Sequence, residues 1–171
     1  MTDSQSRNLK DYSLFNSLSD KELKLIENIG EEREVTAGSI IINEGDIGED
    51  LYLLEEGVVD IYKTLTIVTS KNEFGTKERS FIRLTGDDHC YFGEMALFGS
   101  GERSATVRAV TKCQLIVIKN SDFRKLCENE PRIGYIVVTN IALMLAQYLR
   151  KTNEDVIKLT TALSLALSAE K

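Results

Sequence analysis

Basic charge is in short supply in this sequence. Lys and Arg number 21 against 27 Asp and Glu, for a formal net charge of −6 and a pI near 5.0. Tracking a nucleic-acid backbone needs a cationic face, and no Lys/Arg run supplies one, so nucleic acid is not an expected partner. Cysteine is also scarce. Cys90, Cys113 and Cys127 are odd in number and none forms a CxxC pair, which excludes a disulfide framework and a zinc knuckle. Such thiols suit a reducing cytoplasm. The single histidine, His89, would have to serve any Ser-His-Asp arrangement, and no nucleophile elbow accompanies it. Nothing suggests an enzyme. Long apolar runs are missing too. The longest, residues 133–149, is broken by Gly134, Tyr135, Thr139, Asn140 and Gln147, and it reads as too short and too polar for a membrane span. The N-terminus lacks the apolar core of a signal peptide. There is no internal repeat and no low-complexity tract.

What is present changes character along the chain. In "SLSDKELKLIENIG", Ser19 and Glu22 form a capping box, Leu23, Ile26 and Ile29 recur at helical spacing, and Gly30 is a stop signal. From Glu34, β-rich runs alternate with Gly38, Gly45, Gly48 and Gly57, the pattern of short antiparallel strands with frequent turns. Residues 70–80 read as a solvated hairpin loop. "SFIRL", "SATVRAV" and "CQLIVIK" supply further strands, the last of them buried. Helical signals then return: Ser121 offers a cap for "NSDFRKLCENE", and Pro131 suits the first turn of the next helix. Val156, Leu159, Leu163 and Ala166 step by three and four, a seam that either packs on the chain's own β-structure or joins another helix. The expected fold is α+β: an antiparallel, jelly-roll-like β-roll of about eight strands flanked by N- and C-terminal helices. The expected organisation is a tail over residues 1–12, a domain over 13–153 and a C-terminal helix over 154–171.

The stretch "YFGEMALFGSGERSATVRAV", residues 91–110, carries the chemistry. Its glycines are too many for a long helix, and its middle is too polar for a buried strand. A phosphate is held best by converging backbone amides and a guanidinium. "GEMALF" can form a one-turn helix whose amides converge, Gly93 lets the backbone approach closely, and Arg103 provides a planar, permanently charged fork. Ser104 adds a hydroxyl. A carboxylate such as Glu94 can accept from a ribose hydroxyl. A Glu and an Arg sharing a cleft are expected to be strongly paired. Arg108 alternates with Val107 and Ala109 on a strand and is expected to face solvent.

"FGEMALFGSGERSATV" resembles the phosphate-binding cassette of the cyclic nucleotide-binding domain family. "AGSIIINEGD" with "LYLLEEGVVDIY" is similar to the family's early strands, and "CQLIVIKNSDFRKL" to its last strand and following helix; the likeness covers residues 14 to about 153. The resemblance implies that Phe92 opens the cassette and that Gly93, Met95 and Ala96 line phosphate and ribose through their backbone. It implies that Glu94 accepts from the ribose 2′-hydroxyl, and that Arg103 pairs with the cyclic phosphate, assisted by Ser104 and the Ala105 amide. In bacterial activators of the family a Thr-Ser pair reaches adenine; Thr152 and Asn153 stand at that place. Thr152 with Asp155 also reads as a capping box at which the helix would break. Gly86-Asp87 lies further upstream of the cassette than the family pattern has it, so a bulge is expected in the strand entering the pocket.

The resemblance implies a regulatory module that binds a cyclic mononucleotide, cAMP in preference to cGMP, with no cofactor. After Lys151 no helix-turn-helix, kinase or channel segment is visible. The module is expected to signal through its C-terminal helix, as a homodimer or on an unidentified protein partner. A ligand-free interaction module of the same fold is the alternative. A haem sensor using His89 and Cys90 is a further one, which the Glu94/Arg103 pair argues against.

Overall fold

The computed structural model describes residues 9–68, 74–99 and 101–169. Helix α1 (Asp20–Ile29) starts where the capping box places it. The Ser19 hydroxyl accepts from the Glu22 amide at 3.4 Å, and the Glu22 carboxylate accepts from the Ser19 amide at 2.8 Å. Gly30 ends the helix without a left-handed cap, since its φ is −84°. Its missing Cβ is what counts, because a Cβ there would sit 2.6 Å from Ile116 Cγ2. Leu9 and Tyr12, in the segment read as a tail, are buried, and the Tyr12 hydroxyl donates to the Leu54 carbonyl at 3.0 Å.

Ten strand segments lie among the described residues: β1 (Gly30–Val35), β2 (Ile40–Ile42), β3 (Ile47–Gly48), β4 (Asp50–Glu56), β5 (Val58–Val68), β6 (Phe74–Thr85), β7 (Tyr91–Phe92), β8 (Gly101–Glu102), β9 (Thr106–Ala109) and β10 (Cys113–Lys119). They pair antiparallel in the orders β1-β10-β4-β7, β2-β9-β5-β6 and β3-β8. This is the expected β-roll between helices.

Strands β4 and β10 read as near-continuous apolar runs because both of their faces are covered. Leu51, Leu53, Ile116 and Ile118 pack with the helices, whereas Tyr52, Leu54, Leu115 and Val117 point into the roll. Strand β1 is a sheet edge with four exposed residues in six, and its charge hid it from the sequence reading. Edge position explains the composition. Its glutamates pair across the ladder, Glu31 with Lys119 at 2.6 Å and Glu34 with Lys112 at 2.8 Å.

Three expectations about elements are corrected. Most of residues 70–80 is strand rather than loop: β6 begins at Phe74 and pairs with β5 from Val68↔Phe74 onward, while residues 70–73 lie outside the described residues. Ser121 is no cap. Strand β10 runs directly into helix α2 (Asn120–Asn129), whose N-cap is Lys119 without a side-chain bond. The helix start is anchored instead by Asn120, whose amide donates to the Glu49 carbonyl at 2.9 Å and whose buried side chain donates to the Ala96 carbonyl. Finally, helix α3 (Pro131–Ala169) is unbroken through Thr152 and Asp155.

Helix α3 has two regimes. Ile133, Val137 and Ile141 are fully buried, Asn140 donates to the Leu14 and Asn16 carbonyls at 3.0 Å each, and the Tyr91 hydroxyl contacts Met144 Sδ at 3.1 Å. Residues 151–168 are exposed throughout, so the seam does not pack on the chain's own roll. By length and composition alone, Pro131–Ser168 is apolar enough to cross a membrane, with a mean hydropathy of 1.3 in its most apolar window of 18 residues. That corrects the expectation for residues 133–149, whose Ile, Val and Leu outweigh the interrupting polar residues in the mean. Only 22% of that window is buried.

Candidate functional site

The sequence-marked loop folds into one wall of a cleft of about 150 Å³, lined by Gly48, Gly93, Glu94, Met95, Ala96, Gly99, Gly101, Glu102, Arg103 and Ser104. Strand β7 delivers the chain to the cleft. Its Phe92 is buried behind, stacked on Tyr52 with ring centroids 5.2 Å apart. Gly93 then takes a left-handed conformation (φ 77°), which reverses the backbone into the expected one-turn helix, here a 3-10 turn over Glu94–Phe98. The Ala96 amide closes that turn on the Gly93 carbonyl at 3.0 Å.

The return strand is held by backbone bonds. The Arg103 amide donates to Asp46 at 2.8 Å, and the Gly45 amide donates to Arg103 at 2.9 Å. The buried Thr106 hydroxyl accepts from the Glu44 amide at 3.1 Å. These contacts tie the loop before β3 to the segment before β9.

The Arg103 guanidinium is held from three sides. Its Nη2 donates to the Asp50 carbonyl at 3.0 Å, and its Cζ stands 5.9 Å from the centre of the Tyr52 ring. A Cβ at Gly48 would lie 1.9 Å from Arg103 Nε, and one at Gly93 would lie 2.8 Å from Nη1. Two glycines therefore make the slot through which the arginine passes. One of five N–H donors is spent on Asp50, leaving the remainder for an anion. Glu94 behaves differently from the expected strong pair. No hydrogen bond or ion pair joins it to Arg103; burial pushes its carboxyl above the ordinary value, with its own amide and the more distant Arg103 charge opposing that rise. Arg103 has the nearer Asp50 carbonyl and Tyr52 ring to satisfy it.

The structure thus gathers Gly93, Glu94, Met95, Ala96, Arg103 and Ser104 at one cleft, with Phe92 behind it. The Met95 side chain is exposed. Ala105 is half-buried beside the lining, and Thr152 and Asn153 are exposed on α3 and do not line the cleft. Gly48, Asp50 and Tyr52 were missed by sequence reasoning. The only local signal was a glycine in "GDIGED".

Other expectations near the cleft change. Instead of a bulge, residues Gly86–Asp88 form a 3-10 turn that ends in a left-handed His89 (φ 48°), and this absorbs the extra upstream length. His89 packs edge-on against Tyr12 at 5.5 Å and lies 3.7 Å from Asp11, away from the cleft lining. The Cys90 thiol is pushed up by burial, which disfavours the thiolate that ligation needs. Among the described residues, no three His, Cys, Asp or Glu side chains gather in a way that could hold a metal ion. Arg108 does not face open solvent: it lies 4.8 Å over the Tyr62 ring and donates to its hydroxyl at 2.5 Å.

Comparison with known proteins agrees with this geometry. The chain is 31% identical over 145 residues to the cyclic AMP receptor protein of Thermus thermophilus, covering 85% of this chain and 61% of that one. It is 35% identical over 118 residues to the cAMP-dependent protein kinase regulatory subunit of Eremothecium gossypii, covering 69% and 23%. It thus spans under two thirds of either relative. The crystal structure of the Thermus thermophilus catabolite activator protein superposes with a TM-score of 0.71 at 30% identity, covering 86% of this chain and 63% of that one. Residues 32–130 match the family model for the cyclic nucleotide-binding domain, and this chain belongs to that family.

Proposed function

We propose that this chain is a cytoplasmic, non-catalytic sensor that binds one cyclic mononucleotide in the Arg103 cleft, cAMP in preference to cGMP, and signals through α3. The observation that carries this reading is the Arg103 guanidinium, fixed between Gly48 and Gly93 with donors to spare, opposite the 3-10 turn that begins at Glu94. A cyclic phosphate would take Arg103 and the turn's amides, assisted by Ser104 and the Ala105 amide. Glu94 would accept from the ribose 2′-hydroxyl. Related proteins support the ligand class: the solved regulatory domain of Toxoplasma gondii PKA, 30% identical with a TM-score of 0.55, is a co-crystal with cAMP.

Output is assigned to the exposed half of α3. Val156, Leu159 and Leu163 are 55%, 70% and 60% exposed in one stripe at coiled-coil spacing, and a second copy of this chain is the occupant we assign to it. Thr152 and Asn153 lie on the same exposed half and are assigned to the base. Ligand acts only by its differential affinity for two arrangements of that helix.

Calorimetric titration with cAMP and then cGMP tests the reading. One-to-one saturable binding, abolished or greatly weakened in Arg103→Ala with the fold retained, is the expected outcome; unchanged affinity in that variant removes Arg103 from the site. Glu94→Gln should weaken cAMP far more than 2′-deoxy-cAMP, and an equal loss for both removes the ribose role.

A further inference from the structure

The cleft's arginine is held by a ring that does not line the cleft. Tyr52 is only 4% exposed, and it sits on β4 opposite Phe92 of β7, with the two rings nearly parallel at 12°. Its hydroxyl donates to Asp50 Oδ2 at 3.3 Å, while the Asp50 carbonyl receives Arg103 Nη2 at 3.0 Å. Ring and carbonyl therefore come from a single three-residue stretch of one strand and meet the same guanidinium.

From this we infer that Tyr52 is the positioning residue for Arg103: its ring holds the planar fork in one orientation, so that the free N–H groups face the cleft before any ligand arrives. The inference rests on the proposed nucleotide site and adds a residue to it.

The physical case is one of preorganisation. A free arginine side chain has many rotamers, and freezing it on binding weakens the complex. Here the fork is frozen beforehand. A guanidinium within about 6 Å of a ring centre is attracted by the ring's quadrupole, and more so away from water. The parallel Phe92 fixes the plane of the Tyr52 ring, and the Asp50 carboxylate fixes its hydroxyl. Fixing the ring fixes the fork. Arg33 of β1 also lies 5.8 Å from the same ring centre. Two cations around one ring repel each other, which favours an arrangement in which an anion joins Arg103.

The test is a titration series with cAMP in the full chain, with melting followed by far-UV circular dichroism. Tyr52→Leu should weaken binding by about tenfold, and Tyr52→Phe, which keeps the ring, should restore affinity to within about threefold of the wild type. A buried ring also supports the fold, so melting temperature alone does not decide. The deciding measurement is Tyr52→Leu placed in the Arg103→Lys background. Lysine is a point charge on a flexible stem and gains little from an oriented plane, so the further loss there should be under about threefold. A loss from Tyr52→Leu as large in that background as in the wild type overturns the inference, because the ring would then be acting on something other than the fork. Equal affinity of Tyr52→Leu and wild type overturns it too. If the wild type binds neither cAMP nor cGMP, the nucleotide reading itself fails and the inference falls with it.

Discussion

At the scale of single residues, the cleft is made as much by missing atoms as by present ones. Gly48 and Arg103 are far apart in sequence, and nothing near Gly48 announces that a side chain must pass over it. The cassette was legible because its parts are contiguous; Gly48, Asp50 and Tyr52 were not, because their roles exist only once β3 pairs with β8 and β4 with β7. Gly48→Ala should therefore displace the guanidinium and weaken cAMP binding by about tenfold or more while the melting temperature changes little; a titration beside a melting curve checks both. Glu94 gives a second prediction, about stability. Its carboxyl is raised above the ordinary 4.5 by burial, so the fold favours the protonated form. The associated stability is complete below pH 4.5 and is lost as pH rises through the raised value. Glu94→Gln cannot ionise. Without ligand it should melt higher than the wild type at pH 7, with the gap closing at pH 4. A variant that binds worse and melts higher would mark a carboxylate kept for recognition at the expense of the empty fold.

At the scale of elements, periodicity was informative where one face is buried and misleading where an element's stability comes from elsewhere. The box at Ser19 was read correctly because its partners are three residues apart. It has a distant addition: Arg132, at the start of α3, pairs with Glu22 and is the main cause that lowers its carboxyl to about 2. A depressed carboxylate contributes stability above its ordinary 4.5, lost as pH falls towards 2. Arg132→Met should thus lower urea stability at pH 7 by at most about 1 kcal/mol, since the pair is partly exposed, and the difference should vanish near pH 2. Ser121 was read as a cap and Asn120 was overlooked. Position in the helix reverses their importance. Ser121→Ala should be neutral within about 0.5 kcal/mol, whereas Asn120→Ala should cost about 1–3 kcal/mol by leaving the Ala96 carbonyl unpaired in a buried setting. The long arm of β5 and β6 escaped notice because its backbone ladder, from Tyr62↔Ser80 to Val68↔Phe74, needs no apolar alternation to form. Thr152 and Asp155 carry a local capping pattern that a continuous helix simply overrides.

At the scale of the whole molecule, the fold class and the order of its parts were legible, while the state of α3 was not. Exposure is a property of the assembled chain, and the seam's spacing is the same whether it packs inward or stands free. Because Leu159 and Leu163 are exposed and the roll does not use them, Leu159→Glu with Leu163→Glu should convert the proposed dimer to a monomer in light scattering without lowering the melting temperature of the roll. An unchanged mass would remove the second copy as the occupant. The anchoring of α3 has a mechanical meaning as well. Its last contact with the core is Met144, the described helix runs to Ala169, and at 1.5 Å per residue the part beyond is a rod of about 38 Å. Its pivot is set by Asn140 on the N-terminal segment and by Met144 on Tyr91, two residues before Gly93. A tilt of about 5° at that pivot carries Ala169 through about 3 Å. A change of angle too small to disturb the packing of the roll is thus magnified along the helix into a displacement as large as a side chain.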